Sequence, residues 1–122
     1  MLLQLNFSSD LPIYQQIRNQ IVVGIASGQL NPGDRLPTIR ALADESGVNV
    51  MTVNKAYSLL KQEGYLLADR RGGTVVAGDP GPNCLSAQSE ATLSVIISEA
   101  KLAGMEKDDF LRLCTRLFEG KP

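Results

Sequence analysis

Amide, hydroxyl and amine side chains gather at the start of one predicted helix near the middle of the chain. They follow a glycine, Gly47, and the residues concerned are Asn49, Met51, Thr52, Asn54 and Lys55. An asparagine can form both hydrogen bonds that an adenine edge offers, a lysine can donate to guanine or to a phosphate, and a methionine or a threonine methyl group can contact the methyl group of thymine. These side chains therefore predict recognition of DNA bases by the first turns of an exposed helix.

Further basic side chains flank that helix in the sequence. Arg40 lies near the start of the preceding predicted helix, where it can reach a phosphate or a base edge. Arg70 and Arg71 lie in the turn between two predicted strands, a position suited to the DNA backbone or to an adjacent minor groove. These residues predict a single DNA-contacting surface, and the alternative is that they are ordinary solvated side chains.

Two other residues allow competing interpretations. Arg35 can contact a phosphate, or it can form an ion pair with Asp34 or Asp44. Thr38 can contact DNA, but its place just before an apolar helical pattern favours an N-cap, in which the hydroxyl accepts a hydrogen bond from the first helical turn. Both residues remain candidates for the DNA-contacting surface.

The N-terminal part of the chain predicts an arm and a helix. Leu3, Leu5 and Phe7 alternate with polar residues, which is typical of a short strand or an extended arm with one apolar side. Ser9 or Asp10 can then cap a helix whose isoleucines recur at intervals of four. A glycine at position 28 is expected to end this helix.

A helix-turn-helix and a β-hairpin are predicted next. A short helix begins after Thr38 and ends at Gly47, and a longer one runs from Asn49 to about residue 63. The expected inner face of the longer helix consists of Val50, Val53, Ala56, Tyr57 and Leu60. Residues 65–68 and 74–77 are predicted strands joined by a basic, glycine-containing turn. The fold class is therefore mainly α with a small β-hairpin wing, a winged helix-turn-helix.

The remaining third of the chain predicts a helical tail. We expect a DNA-binding domain over residues 1–77, a linker rich in proline and glycine over 78–83, and a two-helix dimerisation segment over 84–122. The two tail helices are predicted at about 86–102 and 107–118, with a break at a glycine.

Two short helices would leave apolar stripes exposed unless a second copy covered them, so the tail predicts a homodimer joined by a four-helix arrangement. The residues expected at this interface are Leu93, Ile96, Ile97, Ala100, Phe110, Leu113 and Leu117. Two helices of this length cannot enclose a ligand pocket of about 300–1,000 Å³ by themselves. No small-molecule effector is therefore named from the sequence.

Composition and motifs argue against an enzyme. The chain has no histidine, its two cysteines form no metal-binding pair, and it has neither a glycine-rich phosphate loop nor a nucleophile–base set, so no cofactor or metal is expected. The net charge is −1, but residues 1–76 carry seven basic and six acidic side chains whereas residues 77–122 carry five and seven. No apolar run approaches the ~20 residues of a membrane span, so a cytoplasmic protein without a membrane partner is expected.

Three stretches of the chain resemble a known family. Residues 30–43, 47–57 and 60–64, together with the opening 11–17, are similar to the winged domain of the GntR family of bacterial transcription regulators. The short tail resembles that of the YtrA-type subfamily, whose members carry only a two-helix segment after the winged domain. The resemblance covers about residues 3 to 77.

The resemblance implies a homodimer that binds double-stranded DNA at a palindromic operator, usually as a repressor. It also implies DNA-binding roles for Arg40, for the recognition helix that starts around Asn49 and Thr52, and for Gly73 in the wing. The wing departs from the common pattern, because Arg71 replaces a glycine. The alternative from another class is a winged-helix module that contacts proteins and binds no DNA.

Overall fold

The computed structural model describes residues 3–78 and 84–120, and the chain divides into two compact units, Met1–Pro80 and Gly81–Pro122. Most of the predicted linker, residues 79–83, lies outside the described residues. The elements in chain order are α1 (Ile13–Ala26), α2 (Ile39–Ser46), α3 (Val50–Gln62), β1 (Leu66–Ala68), β2 (Thr74–Val76), α4 (Ala87–Leu102) and α5 (Lys107–Phe118). The predicted fold, mainly helical with a small hairpin, is confirmed.

The first unit has one hydrophobic core, in which α1, α2 and β1 pack against α3. Apolar residues spaced for a helical face supply most of it, and burying such side chains is the main force that holds the elements together. The core consists of Ile17, Ile21, Leu36, Leu42, Ala43, Val53, Ala56, Tyr57, Leu60, Leu66 and Val76.

Local signals define both helices of the helix-turn-helix. The Thr38 hydroxyl accepts a hydrogen bond from the Ala41 amide at 3.1 Å, which confirms the predicted N-cap of α2. Gly47 ends α2 with φ of 68°, in the left-handed region that favours glycine. Asn49 caps α3, since its Oδ1 accepts from the Met51 amide at 2.7 Å.

The start of α1 differs from the prediction. The residue before it is Pro12, and no side chain caps its amides. Ser9, one of the two expected caps, instead accepts a hydrogen bond from the Leu11 amide at 3.1 Å in the preceding turn. The end of α1 agrees with the prediction: the helix runs to Ala26, Ser27 is the C-cap, and Gly28 follows with φ of 84°.

The N-terminal arm is extended and forms no strand among the described residues. Leu3 and Leu5 pack against the core as expected, but Phe7 is 65% exposed, so the prediction that these three share one apolar side is wrong for Phe7. The reason is a turn at Asn6, whose carbonyl accepts from the Ser9 amide at 3.3 Å and which takes the chain out of the extended conformation.

The wing is a two-stranded antiparallel hairpin in which Leu66 pairs with Val76 and Ala68 with Thr74. The segment before α2 continues this sheet by a single bridge between Arg35 and Val75. Hydrogen bonds of 2.9 Å join the Leu36 amide to the Thr74 carbonyl and the Val76 amide to the Asp34 carbonyl. The wing is therefore attached to the body of the unit by backbone as well as by its buried side chains.

The second unit consists of α4 and α5, joined by a turn at Gly104. The Met105 amide donates to the Ala100 carbonyl at 3.0 Å, and Gly104 has φ of 83°, which is the geometry of a glycine-terminated helix. Neither helix contains a buried residue. None of the helices among residues 3–78 and 84–120 combines the length and the apolar character needed to cross a membrane.

Candidate nucleic-acid interface

One face of α3 is open to solvent along its first two turns. Met51, Asn54, Lys55 and Ser58 are exposed, and their spacing of three and four residues places them on one side of the helix. The opposite side is built into the core through Val53, Ala56, Tyr57 and Leu60. The buried side of α3 therefore packs in the core, and the opposite side exposes the amide of Asn54, the amine of Lys55 and the hydroxyl of Ser58 to solvent.

The first turn of α3 is less buried than the turns that follow. The side-chain Oδ1 of Asn49 accepts the capping hydrogen bond, which leaves the side-chain NH₂ free to donate. Thr52 is half-buried. Val50 was expected on the inner face, but that prediction is wrong: Val50 is 44% exposed, and the buried side of α3 begins at Val53. The end of the helix is thus exposed on more sides than the apolar pattern predicted.

Lys55 is held by a partner on another helix. Its Nζ lies 4.1 Å from the centre of the Tyr14 ring, a cation–π contact between α3 and α1. The contact limits the rotamers of a flexible side chain, so less conformational freedom is lost when the amine meets an external acceptor.

Arg40 and Thr38 lie at the N-terminal end of α2. Arg40 is exposed, and within the described parts of the chain its guanidinium makes no hydrogen bond or ion pair. The N-terminal amides of α2 carry the positive end of the helix dipole, which favours an anion near Arg40. Thr38 is exposed as well, but its hydroxyl oxygen serves the cap.

The turn of the wing carries the other basic candidates. Two backbone hydrogen bonds of 3.0 Å, from the Gly72 amide to the Asp69 carbonyl and from the Asp69 amide to the Gly73 carbonyl, define the turn. Arg70 is exposed and has no hydrogen-bond or ion-pair partner in the part of the chain that the structure describes. The Arg71 side chain is 85% exposed, with its Nε 3.6 Å from Asp69 Oδ2.

Arg35 is paired, but with neither of the two predicted aspartates. Its Nη2 forms an ion pair with Asp69 Oδ2, and its Nη1 donates to the Gly72 carbonyl. Partial desolvation acts to raise the pKa of Asp69, but the charges of Arg71 and Arg35 and the hydrogen bonds that both donate outweigh it, so the pKa of Asp69 lies below its ordinary value. The expected pairs with Asp34 and Asp44 do not form; Asp34 accepts from the Asn31 amide at 2.8 Å instead.

A separate ion pair engages Arg18, which is not one of the candidate DNA-contacting residues. Arg18 binds both carboxylate oxygens of Glu63, each at 2.9 Å, and its guanidinium lies 5.7 Å from the Tyr65 ring centre, so this pair joins α1 to the end of α3. The Glu63 hydrogen bond raises the pKa of Arg18, against a smaller desolvation effect that lowers it. Among the described residues, three basic candidates form no ion pair: Arg40, Lys55 and Arg70. Arg71 is only weakly paired, at 3.6 Å from Asp69.

The sequence did not single out Ser58 or Asp69. Ser58 lies four residues after Asn54, so helical spacing alone could have placed it on the exposed face. Asp69 could not have been paired with Arg35 in advance, because 34 positions separate them. Among residues 3–78 and 84–120 no three cysteine or carboxylate side chains are grouped in a way that could hold a metal ion.

A winged helix-turn-helix with a polar, outward-facing second helix and a basic wing defines a DNA-binding protein of the transcription-regulator class. The family described as "Bacterial regulatory proteins, gntR family" matches residues 13–76, just over half of the 122-residue chain. The chain belongs to the GntR family, whose members regulate transcription and are not enzymes.

Relatives of similar length extend the match through the tail. The chain is 32% identical over 116 residues to the HTH-type transcriptional regulator Rv1152 of Mycobacterium tuberculosis, covering 94% of this chain and 93% of the relative. It is 32% identical over 108 residues to the HTH-type transcriptional repressor YtrA of Bacillus subtilis, covering 86% of this chain and 83% of that protein. The chain is a YtrA-type member of the family.

Solved structures agree with this assignment. A Listeria monocytogenes EGD-e protein described as a transcriptional antiterminator superposes with a TM-score of 0.83 at 28% identity, covering 96% of this chain and 90% of its own. YtrA from Sulfolobus acidocaldarius gives 0.67 at 40% identity, covering 84% and 99%. The DNA-binding domain of AraR, solved in complex with operator ORX1, gives 0.56 at 32% identity, covering 63% and 99%.

Proposed function

We propose that this GntR-type regulator is a cytoplasmic repressor that binds a palindromic operator as a homodimer. The observation that carries the proposal is the exposed first half of α3, whose amide and amine groups face outward from a buried back. Two relatives support it: the similar YtrA of Bacillus subtilis is named a repressor, and the AraR domain is solved on operator DNA.

In this proposal α3 enters the major groove with its N-terminal end towards the bases. Asn54 and the free amide of Asn49 donate to base edges, Lys55 donates to guanine or to a phosphate, and Met51 contacts a thymine methyl group. Thr52, half-buried, contributes its methyl group at the rim of the contact.

Phosphate contacts fix the position of the helix in the groove. Arg40 and the amides at the start of α2 bind one phosphate group, with Thr38 close by as the cap. Arg70 and Arg71 bind the backbone beside the groove from the tip of the wing, which Gly73 allows to turn sharply. Base contacts then supply discrimination of about 1–3 kcal/mol for each good bidentate pair.

The tail is proposed to join two copies. We assign residues 1–77 to DNA binding, 78–83 to the linker and 84–122 to dimerisation. A dimer matches a palindrome because its two recognition helices are related by the same twofold symmetry as the two half-sites. Apolar residues of α4 and α5 supply the contact in this proposal. Leu93, Ile96, Ile97 and Leu117 are exposed, and Ala100, Phe110 and Leu113 are half-buried.

Footprinting on the DNA next to the protein's own gene tests the proposal, with binding then measured across a range of salt concentrations. We expect log Kobs to fall linearly with log[salt], with a slope of about −0.9 for each phosphate neutralised. Arg40→Ala and Lys55→Ala should each weaken binding and flatten the slope. Lys61→Ala is the control, because it removes the same charge from the far end of α3. A footprint that both variants leave intact at moderate salt would contradict the assigned surface.

A further inference from the structure

The Arg35 guanidinium bridges two parts of the wing turn. One nitrogen, Nη2, forms an ion pair with Asp69 Oδ2, and the other, Nη1, donates to the Gly72 carbonyl. These two acceptors lie at either end of a single tight turn, since the Gly72 amide itself donates to the Asp69 carbonyl at 3.0 Å. A planar guanidinium with a rigid fork of donors is suited to this two-point contact in a way that a lysine amine is not.

The base of the Arg35 side chain is held by the backbone. Arg35 forms the bridge to Val75, and its neighbour Leu36 is buried, with its amide 2.9 Å from the Thr74 carbonyl. The guanidinium therefore reaches from the body of the unit, along β2, to the tip of the wing. The contact ties the free end of the hairpin to a segment that the core already holds.

Gly73 leaves the space that the guanidinium occupies. A Cβ atom added at Gly73 would overlap Arg35 Nη1, whereas one added at Gly72 would have no neighbour within 4 Å. Both glycines have positive φ, 84° and 94° respectively, so backbone strain is similar for a side chain at either position. The two positions differ in that only a side chain at Gly73 would overlap the Arg35 guanidinium.

The charges explain what the contact does for the neighbouring arginines. Asp69 is the one carboxylate among residues 69–73 of the turn, and both Arg35 and Arg71 approach it, Arg71 at 3.6 Å. Without Arg35, Asp69 would be neutralised by Arg71 alone, which would draw that side chain back onto the turn. With Arg35 in place, Arg71 is 85% exposed and available for an external anion.

We propose that Arg35 is a positioning residue of the wing: it binds Asp69 and the Gly72 carbonyl, and thereby orders the turn and frees Arg71, with Arg70, to contact the DNA backbone. Gly73 leaves room for the guanidinium, because a side chain there would force Arg35 Nη1 to move. The inference rests on the proposed DNA contact of the wing. It assigns Arg35 a role through Arg71 instead of a phosphate of its own.

The first test uses the free protein, so that it does not depend on DNA binding. Backbone {¹H}–¹⁵N heteronuclear NOE values should fall for residues 69–73 in Arg35→Ala while the rest of the winged unit stays unchanged. Arg70→Ala is the matched control, since it removes an arginine from the same turn without touching the contact. Equal NOE values in wild type and Arg35→Ala would overturn the ordering role even if the protein binds its operator.

The second test compares how strongly operator binding depends on salt concentration in a set of single and combined variants. The Arg70→Ala, Arg71→Ala double variant should flatten the slope by about 1.8, for two phosphates lost. Adding Arg35→Ala should then change the slope no further. A further loss of about 0.9 would show that Arg35 neutralises a phosphate directly and would overturn the inference. If the wild type fails to bind any operator, the proposed function fails, and the NOE measurement still decides the ordering role.

A third comparison uses the glycine pair. Gly73→Ala should weaken operator binding more than Gly72→Ala, because only Gly73→Ala displaces Arg35. In the Arg35→Ala background the two should weaken binding equally. An excess loss in Gly73→Ala that persists without Arg35 would mean that the glycine itself approaches DNA, and would contradict its assigned role.

Discussion

At the scale of single residues, Tyr57 links α3 to the segment before α2. Its ring is buried in the core, and its hydroxyl donates to the Pro37 carbonyl at 2.8 Å. Burial, with a smaller contribution from the charge of Glu45, raises the pKa of Tyr57 to about 12. The residue thus fixes the spacing between α3 and the chain that carries Arg35 and Thr38.

We expect Tyr57→Phe to lower the free energy of unfolding by about 0.5–1.5 kcal/mol at neutral pH, because the Pro37 carbonyl loses its partner. Urea denaturation checks this, with Tyr65→Phe as a control at an exposed position. A destabilisation as large in Tyr65→Phe would contradict the assignment.

The raised pKa of Tyr57 also predicts a pH dependence. The folded value of about 12 exceeds the ordinary value of 10.0, so folding favours the protonated phenol. The contribution is complete below pH 10 and is lost as the pH rises towards 12. The stability difference between wild type and Tyr57→Phe should therefore shrink over this interval, as measured by urea denaturation at several alkaline pH values. A constant difference would contradict the assigned cause.

At the scale of elements, the two helices of the helix-turn-helix begin and end through their own residues. Thr38 and Asn49 supply the N-caps, and Gly47 supplies the positive φ between them. These interactions span four residues or fewer, which is why the helix positions followed from the sequence. The arm and the start of α1 did not, because glutamine side chains bind the arm: Gln20 exchanges two hydrogen bonds with the Gln4 backbone, at 2.6 and 2.9 Å.

We expect Thr38→Ala to lower the stability of the winged unit by about 1 kcal/mol, whereas Thr38→Asp should retain it, because aspartate caps as well as threonine. Thermal unfolding would report this as a fall of roughly 4–8 °C for Thr38→Ala. Ser58→Ala serves as a control on an exposed helical serine without a cap. If Thr38→Asp melts as early as Thr38→Ala, the cap is not the source of the effect.

At the scale of the whole molecule, the second unit cannot bury its own apolar surface. In α4 the exposed side chains include Val95, Ile96 and Ile97, so the helix is apolar on more than one side, and Phe118 at the end of α5 is 96% exposed. An apolar surface that the chain itself leaves uncovered often marks a site of association with another protein. The second copy of the chain in the proposed dimer supplies that cover.

We expect Ile97→Asp to give monomers and to weaken operator binding sharply, because a buried unpaired carboxylate would oppose association. Light scattering should report the monomer mass of 13.2 kDa instead of about twice that value. Ser98→Asp is the control, since it adds the same charge one residue away from the predicted stripe. An unchanged dimer mass in Ile97→Asp would reject the proposed interface.

The sequence was sufficient for the order of elements and for the polar face of α3. Helical periodicity, caps and turn glycines act within a few residues, so they can be recognised without knowing the fold. Helical periodicity wrongly placed Val50 on the buried face. An apolar residue at the first position of a helix fits the periodic pattern whether or not another residue covers it. Only the packing of α3 showed that its buried side begins at Val53.

By itself, the sequence determined that this chain folds as a winged helix-turn-helix with a helical tail, since local spacing specifies each element. The tertiary structure alone decided which partners the charged side chains take: Arg35 with Asp69, Arg18 with Glu63, and Lys55 over the ring of Tyr14. The physical reason is distance along the chain. The partners of charged side chains follow no periodic pattern in the sequence. Residues tens of positions apart become neighbours only when the core has packed.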